Sequence, residues 1–130
     1  MKEKFIFVHK TAIKSGKEWQ AGSCTIRVVN IDAKLEAYTK KLNCEYIDIQ
    51  DRKINGVTFS FICDDEAGLH NTPPVFSVQS RTNPAYNLVN SLLICKTTKD
   101  GKTRGLTDPE IKWVKAAFNP WFDKNCIMID

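Results

Sequence analysis

Apolar and polar positions change period several times along this chain, and each change predicts an element. KFIFVHK (4–10) is a compact run of β-forming residues and reads as a strand. Lys14 to Lys17, with Gly16 inside, reads as a turn. EWQAGSCTIRVVNI follows, where Ile26, Val28 and Val29 mark a second strand and Gly22 a bulge or bend. The period then becomes helical. In DAKLEAYTKKLN, Leu35, Tyr38 and Leu42 recur at i, i+3 and i+7 among lysines, which predicts an amphipathic helix. Asp32 is placed to cap its start and Asn43 to close its end.

EYIDIQDRKINGVTFSFICD returns to period two. Tyr46, Asp48 and Gln50 alternate with Ile47 and Ile49. Val57, Phe59 and Phe61 alternate with Thr58, Ser60 and Ile62. Asn55-Gly56 between them predicts a tight hairpin, because both residues tolerate positive φ. Pro73 and Pro74 remove donors and force extended backbone, so VFSVQ after them reads as an edge strand at best. The stretch from Asp64 to Tyr86 is then a long connection, a kind that often carries function. NSLLICKTT predicts another strand, and Lys99-Asp100-Gly101-Lys102 a turn.

LTDPEI announces a helix. Thr107 and Glu110 form a capping box, Pro109 sits in the first turn, and Leu106 and Ile111 have staple spacing. Ile111, Val114 and Phe118 share a face, and the helix stops before Pro120. The tail WFDKNCIMID is apolar enough (Trp121, Phe122, Ile127, Met128) to pack back on the body or pair as a strand; failing both, it offers a strip for a partner. Hairpins with two helices (about 32–43 and 107–118), without regular βαβ alternation, predict an α+β fold: one domain over 1–130 with a mostly antiparallel sheet of about five strands.

Composition narrows the chemistry. At 130 residues and 42% hydrophobic the chain suits a single core. The FIFV run is too short for a signal-peptide core and no apolar run approaches a membrane span, so a cytoplasmic protein without membrane contact is expected. The five cysteines (Cys24, Cys44, Cys63, Cys95, Cys126) are odd in number and scattered, several within apolar runs such as FSFIC and LLIC. They read as small buried hydrophobes, not a disulfide framework. Net charge is +4. Lysines crowd the N-terminus (Lys2, Lys4, Lys10, Lys14, Lys17) and a later segment (Lys96, Lys99, Lys102, with Arg104). Such clusters can neutralise phosphates, but without arginine-rich, aromatic-interleaved patterning they read first as solvated hairpin tips.

CDDEAGLHN (63–71) is the densest cluster of ligand-type side chains. Counted from Asp64, its glycine is fifth and its twelfth position is Val75, so a calcium loop fails. Zinc would need Cys63, His70 and two more ligands, but no CxxC or HxxxH pair occurs. Neighbouring carboxylates at a strand end diverge, so they make no acid–base pair. The segment reads as a strand ending at Asp64 followed by a polar turn with Gly68 at positive φ. GxSxG, P-loop and GxGxxG motifs are absent, and a Cys–His nucleophile built on His9 or His70 has no local signature. No catalytic residue, metal or cofactor is expected.

Four stretches together resemble a small uncharacterised family of phages, plasmids and conjugative elements: Glu45-Tyr46-Ile47-Asp48-Ile49, Phe61 to Gly68 (FICDDEAG), Asn90-Ser91-Leu92-Leu93-Ile94, and Gly105 to Ile111 (GLTDPEI). The rhythm matches the family's "GYIEVV", "CDEEGK", "GTVLVV" and "LTDEEIE" over about residues 33–118, with Ser91 where the family carries glycine. The family has no known catalytic residues. The resemblance implies a small soluble protein of a mobile element that acts by binding a host or element protein, with restriction and CRISPR machinery as candidate targets. The contact residues expected are Phe76, Tyr86, Trp121 and Phe122, from the long connection and the tail. The alternative is a nucleic-acid module using Lys96, Lys99, Lys102 and Arg104.

Overall fold

The first apolar run grows into a strand far longer than itself. β1 (Lys2–Ser15) pairs antiparallel with β2 (Glu18–Asp32), from Lys2 opposite Asp32 to Ser15 opposite Glu18. Lys10 pairs with Cys24 and Ala12 with Ala21, so Gly22 and Ser23 together stand opposite Thr11. The bulge expected at Gly22 is there. The computed structural model describes residues 1–15, 18–65, 76–80, 86–88, 91–117 and 126–129, with side chains at 1–8, 26–65 and 91–117. Of the turn expected over Lys14 to Lys17, Lys14 and Ser15 belong to β1 instead, because the ladder with β2 carries them on. Gly16 and Lys17 lie outside the described residues, as do Gly68, His70, Pro73, Pro74, Phe118, Pro120, Trp121 and Phe122.

After β2 come α1 (Leu35–Leu42), β3 (Ile47–Ile54) and β4 (Val57–Asp64). Asn55 (φ 48°) and Gly56 (φ 82°) form the predicted turn, with Ile54 and Val57 as its closing pair. β5 (Phe76–Ser80), β6 (Tyr86–Leu88), β7 (Leu92–Thr97), β8 (Thr103–Arg104), α2 (Asp108–Ala117) and β9 (Cys126–Ile129) complete the order. The main sheet runs β2-β1-β7-β4-β3, antiparallel throughout, with β8 paired to the end of β7. β6, β5 and β9 form a second sheet. This is the expected α+β architecture.

Strand alternation makes two cores. Ile6, Val8, Phe59, Phe61, Leu92 and Ile94 face one way, under Leu106 and the α2 residues Ile111, Val114 and Ala117. Phe5, Phe7, Ile62, Leu93 and Cys95 face the other way, under Tyr38 and Leu42 of α1. A strand covered on both faces needs apolar residues at every position, and this is why β7 begins with the unbroken run LLIC. Each large side chain so buried stabilises the fold by roughly 1.5–3 kcal/mol. Tyr38 meets Phe5 edge-on, with ring centroids 5.5 Å apart, and its hydroxyl is hydrogen-bonded to Thr103 Oγ1.

The structure corrects the sequence reading in three places. Asp32 does not cap α1. It stays in the β2 ladder opposite Lys2, and the N-cap is Lys34, extended and without a side-chain hydrogen bond. The helix is therefore shorter than expected. Leu35 becomes its first residue and stays 60% exposed, while the buried turn begins at Tyr38. Asn43 does close the helix in the left-handed region (φ 52°, ψ 53°). VFSVQ is no edge strand: β5 is central, antiparallel to β6 and parallel to β9. The two prolines precede the strand and leave its ladder donors intact. The connection from Asp64 to Tyr86 therefore holds a strand. The tail pairs through β9, with Val78 opposite Ile127.

Candidate protein-binding surface

α2 positions the surface. Its start is fixed by the predicted capping box: Thr107 N and Oγ1 donate to Glu110 Oε1 at 2.8 and 3.0 Å, and Glu110 N donates to Thr107 Oγ1 at 3.4 Å. Leu106 and Ile111, the staple pair, share one core cluster. Arg104 grips the same carboxylate with both terminal guanidinium nitrogens, each at 2.9 Å. With Ile111, Val114 and Ala117 turned inward, Trp113 falls beside the buried stripe, and it is not among the contact residues expected from the sequence. It remains 43% exposed.

The indole is not loose. Its Nε1 donates to Ile54 O, at the end of β3, at 2.7 Å. A shallow groove of about 390 Å³ lies against it, lined by Asn55, Pro109, Lys112, Trp113 and Ala116, with mostly apolar walls. An exposed aromatic face whose one polar atom is already paired binds with little desolvation or ordering cost, which is what interface anchors do. β9 lies beside both β3 and α2. The two segments expected to supply contacts are thereby joined: Phe76 opens β5, Tyr86 opens β6 opposite Val78, and the tail strand pairs with β5.

The cations of the alternative reading fare unequally. Lys96 Nζ donates to Thr58 O at 2.6 Å and sits 4.8 Å from the centre of the Phe59 ring. Arg104 is committed to Glu110. Lys99 and Lys102 stand exposed at the β7–β8 turn, where Gly101 takes φ 84° as expected.

CDDEAGLHN begins as the sequence predicts. β4 ends at Asp64, and Asp65 N donates to Tyr46 O at 3.0 Å. Cys63 packs against the core, and its thiol contacts Asp48 O at 3.7 Å. Burial first, then the charges of Asp48, Asp64 and Asp65, push this thiol up to about 11. Burial, with Asp51 adding to it, pushes Cys95 up to about 12. Neither is a thiolate at neutral pH, so neither is poised for nucleophilic chemistry. Alkylation of both by iodoacetamide at pH 8 should be many times slower than in the urea-unfolded chain, with peptide mapping as the readout. Fast labelling of Cys63 would mean that its end of β4 is open. Among the described residues, no three His, Cys, Asp or Glu side chains gather to hold a metal ion, and no helix is long and apolar enough to cross a membrane.

No protein-family model matches the chain, and no curated protein or solved structure does.

Another cluster has no local sequence signal. Arg27 and Lys41 both lie over the buried Phe7 ring, at 5.6 and 5.0 Å from its centre. Strand register brings Arg27 opposite Phe7, and α1 brings Lys41.

Proposed function

We propose that this is a non-enzymatic protein of a phage or other mobile element that works by binding a host or element protein, with restriction and CRISPR effectors as candidate targets. The observation that carries this reading is the presentation of Trp113: a partly exposed indole, its N–H bonded to Ile54 O, beside a mostly apolar groove on α2. The mobile-element context comes from the family resemblance alone. The raised thiols Cys63 and Cys95 support a binding role over thiol chemistry.

The test is capture of partners by the immobilised protein, compared with Trp113→Ala and Phe76→Ala variants and followed by binding of the purified partner. A centrally placed aromatic anchor contributes about 2 kcal/mol or more, so Trp113→Ala should weaken binding roughly 30-fold or more. Moderate salt should change it little. A partner held equally by wild type and both variants would refute this surface. A plating assay in hosts carrying defined restriction or CRISPR systems then tests the target class: protection should disappear with Trp113→Ala while protein levels hold.

A further inference from the structure

We infer that the β1–β2 edge of the sheet binds duplex DNA, with the outer part of the β1–β2 ladder in the major groove and the cations at its base on the flanking phosphates.

The ribbon comes first. β1 pairs with β7 only from Ile6 to Val8, yet its ladder with β2 continues to Ser15 opposite Glu18. Among the described residues no third strand pairs with this outer part. The β1 residues beyond Val8, at about 3.3 Å each, extend it by roughly 20 Å. A two-stranded ribbon is marginally stable by itself in water, so one that a ligand orders gains from binding. Its cross-section fits the B-DNA major groove, which is about 12 Å wide. The bulge at Gly22–Ser23 adds right-handed twist where the ribbon leaves the sheet.

The charge distribution points the same way. At the base of the ribbon Arg27 and Lys41 converge over Phe7. Lys2, Lys40 and Lys41, with Asn30, Ile31, Asp32 and Ala37, line an open groove of about 580 Å³ beside them. Its one carboxylate, Asp32, lies 3.4 Å from the N-terminal amine. Arg27, Lys2, Lys40 and Lys41 form no ion pair among the described residues. The ribbon strands carry Lys10 and Lys14 against Glu18. Around the opposite edge of the sheet the exposed or half-buried carboxylates Glu45, Asp48, Asp51 and Asp65 outnumber Arg52 and Lys53. A polyanion approaching this molecule is steered to the β2–β1 edge and repelled from the β3 edge.

The chemistry selects among polyanions. The major groove of A-form RNA is too deep and narrow for protein side chains to read. Single strands are held by stacking on exposed aromatic rings, and the ring beneath Arg27 and Lys41, Phe7, is buried and offers no such face.

Fluorescence anisotropy with a duplex DNA of about two helical turns, the matching RNA duplex and the single strand tests this, over about 50 to 200 mM salt. Wild type should prefer duplex DNA, with affinity falling steeply as salt rises. Arg27→Ala with Lys41→Ala should weaken binding about tenfold and lower the salt slope by about 2. A hairpin shortened by replacing residues 11–23 with Asn-Gly, which keeps the Lys10–Cys24 pair as its last, should lose the preference for DNA over RNA. Lys99→Ala with Lys102→Ala, and Trp113→Ala, should change nothing, which separates this surface from the protein-binding one. Thermal melts confirm folding of each variant. Absence of DNA binding at the lowest salt, equal affinity for all three nucleic acids, or insensitivity to both edge variants overturns the inference.

Discussion

Gly105→Ala is expected to lower the melting temperature by on the order of 10 °C, which corresponds to a loss of about 3 kcal/mol. A methyl group there would lie 2.5 Å from Glu3 Cβ, 2.8 Å from Lys4 O and 2.9 Å from Lys4 N. Two of those atoms are backbone, and the backbone is tied: Leu106 N donates to Lys4 O at 2.7 Å and Gly105 N to Glu3 Oε1 at 3.0 Å. Relief requires the start of β1 to move away from the segment that caps α2. Gly101 gives the contrast, because it has open space around it and φ +84°. Alanine at that position meets only backbone strain, of about 1 kcal/mol. Circular-dichroism melts of the two variants separate crowding from conformation. Equal, small losses would mean that β1 is not seated against residues 105–106.

Glu110→Gln should produce the second large loss, about 2 kcal/mol at neutral pH, because one carboxylate serves both Arg104 and the helix cap. Its hydrogen bonds from Arg104, with those from Thr107, hold the carboxyl at about 2, against the burial that would raise it. The folded-state value lies below the unfolded one, about 4.3. The stabilisation is therefore complete above that unfolded value and is lost as pH falls toward 2. Urea titrations at pH 7 and near pH 2 check both parts. The gap between wild type and variant should be wide at pH 7 and narrow in acid. A gap that stays constant would place the effect in packing instead of charge.

The parts of this fold legible in the sequence are those whose signals are local. Asn55-Gly56 sets its own hairpin, and Thr107, Pro109 and Glu110 set their own helix start, because each acts within a few residues. The length of β1 was not legible. Beyond FIFV its residues are polar and mixed, and what continues the strand is the ladder with β2. Asp32 was misread for a related reason, since pairing with Lys2 outcompeted its capping tendency. The parallel pairing of β5 with β9 joins Ser77 to Cys126, and nothing in VFSVQ or CIMI encodes a partner so distant. The functional surfaces divide in the same way. Trp113 could be found from its place beside the helical stripe, whereas Arg27, Phe7 and Lys41 converge only after three elements have docked.

The position of β7 bears on how the chain folds as it is made. β7 is the strand that joins the two hairpins, accepting β1 on one side and β4 on the other, with Leu92, Leu93, Ile94 and Cys95 fully buried. On the ribosome both hairpins emerge first and can form, but each keeps an inner strand with an unpaired edge until β7 follows. Open edges of this kind are sites of wrong pairing between chains. The interval between synthesis of β4 and synthesis of β7 is thus when nascent copies are most exposed to aggregation. Slowing translation across residues 65–91 should lower soluble yield, whereas slowing it after residue 97 should not.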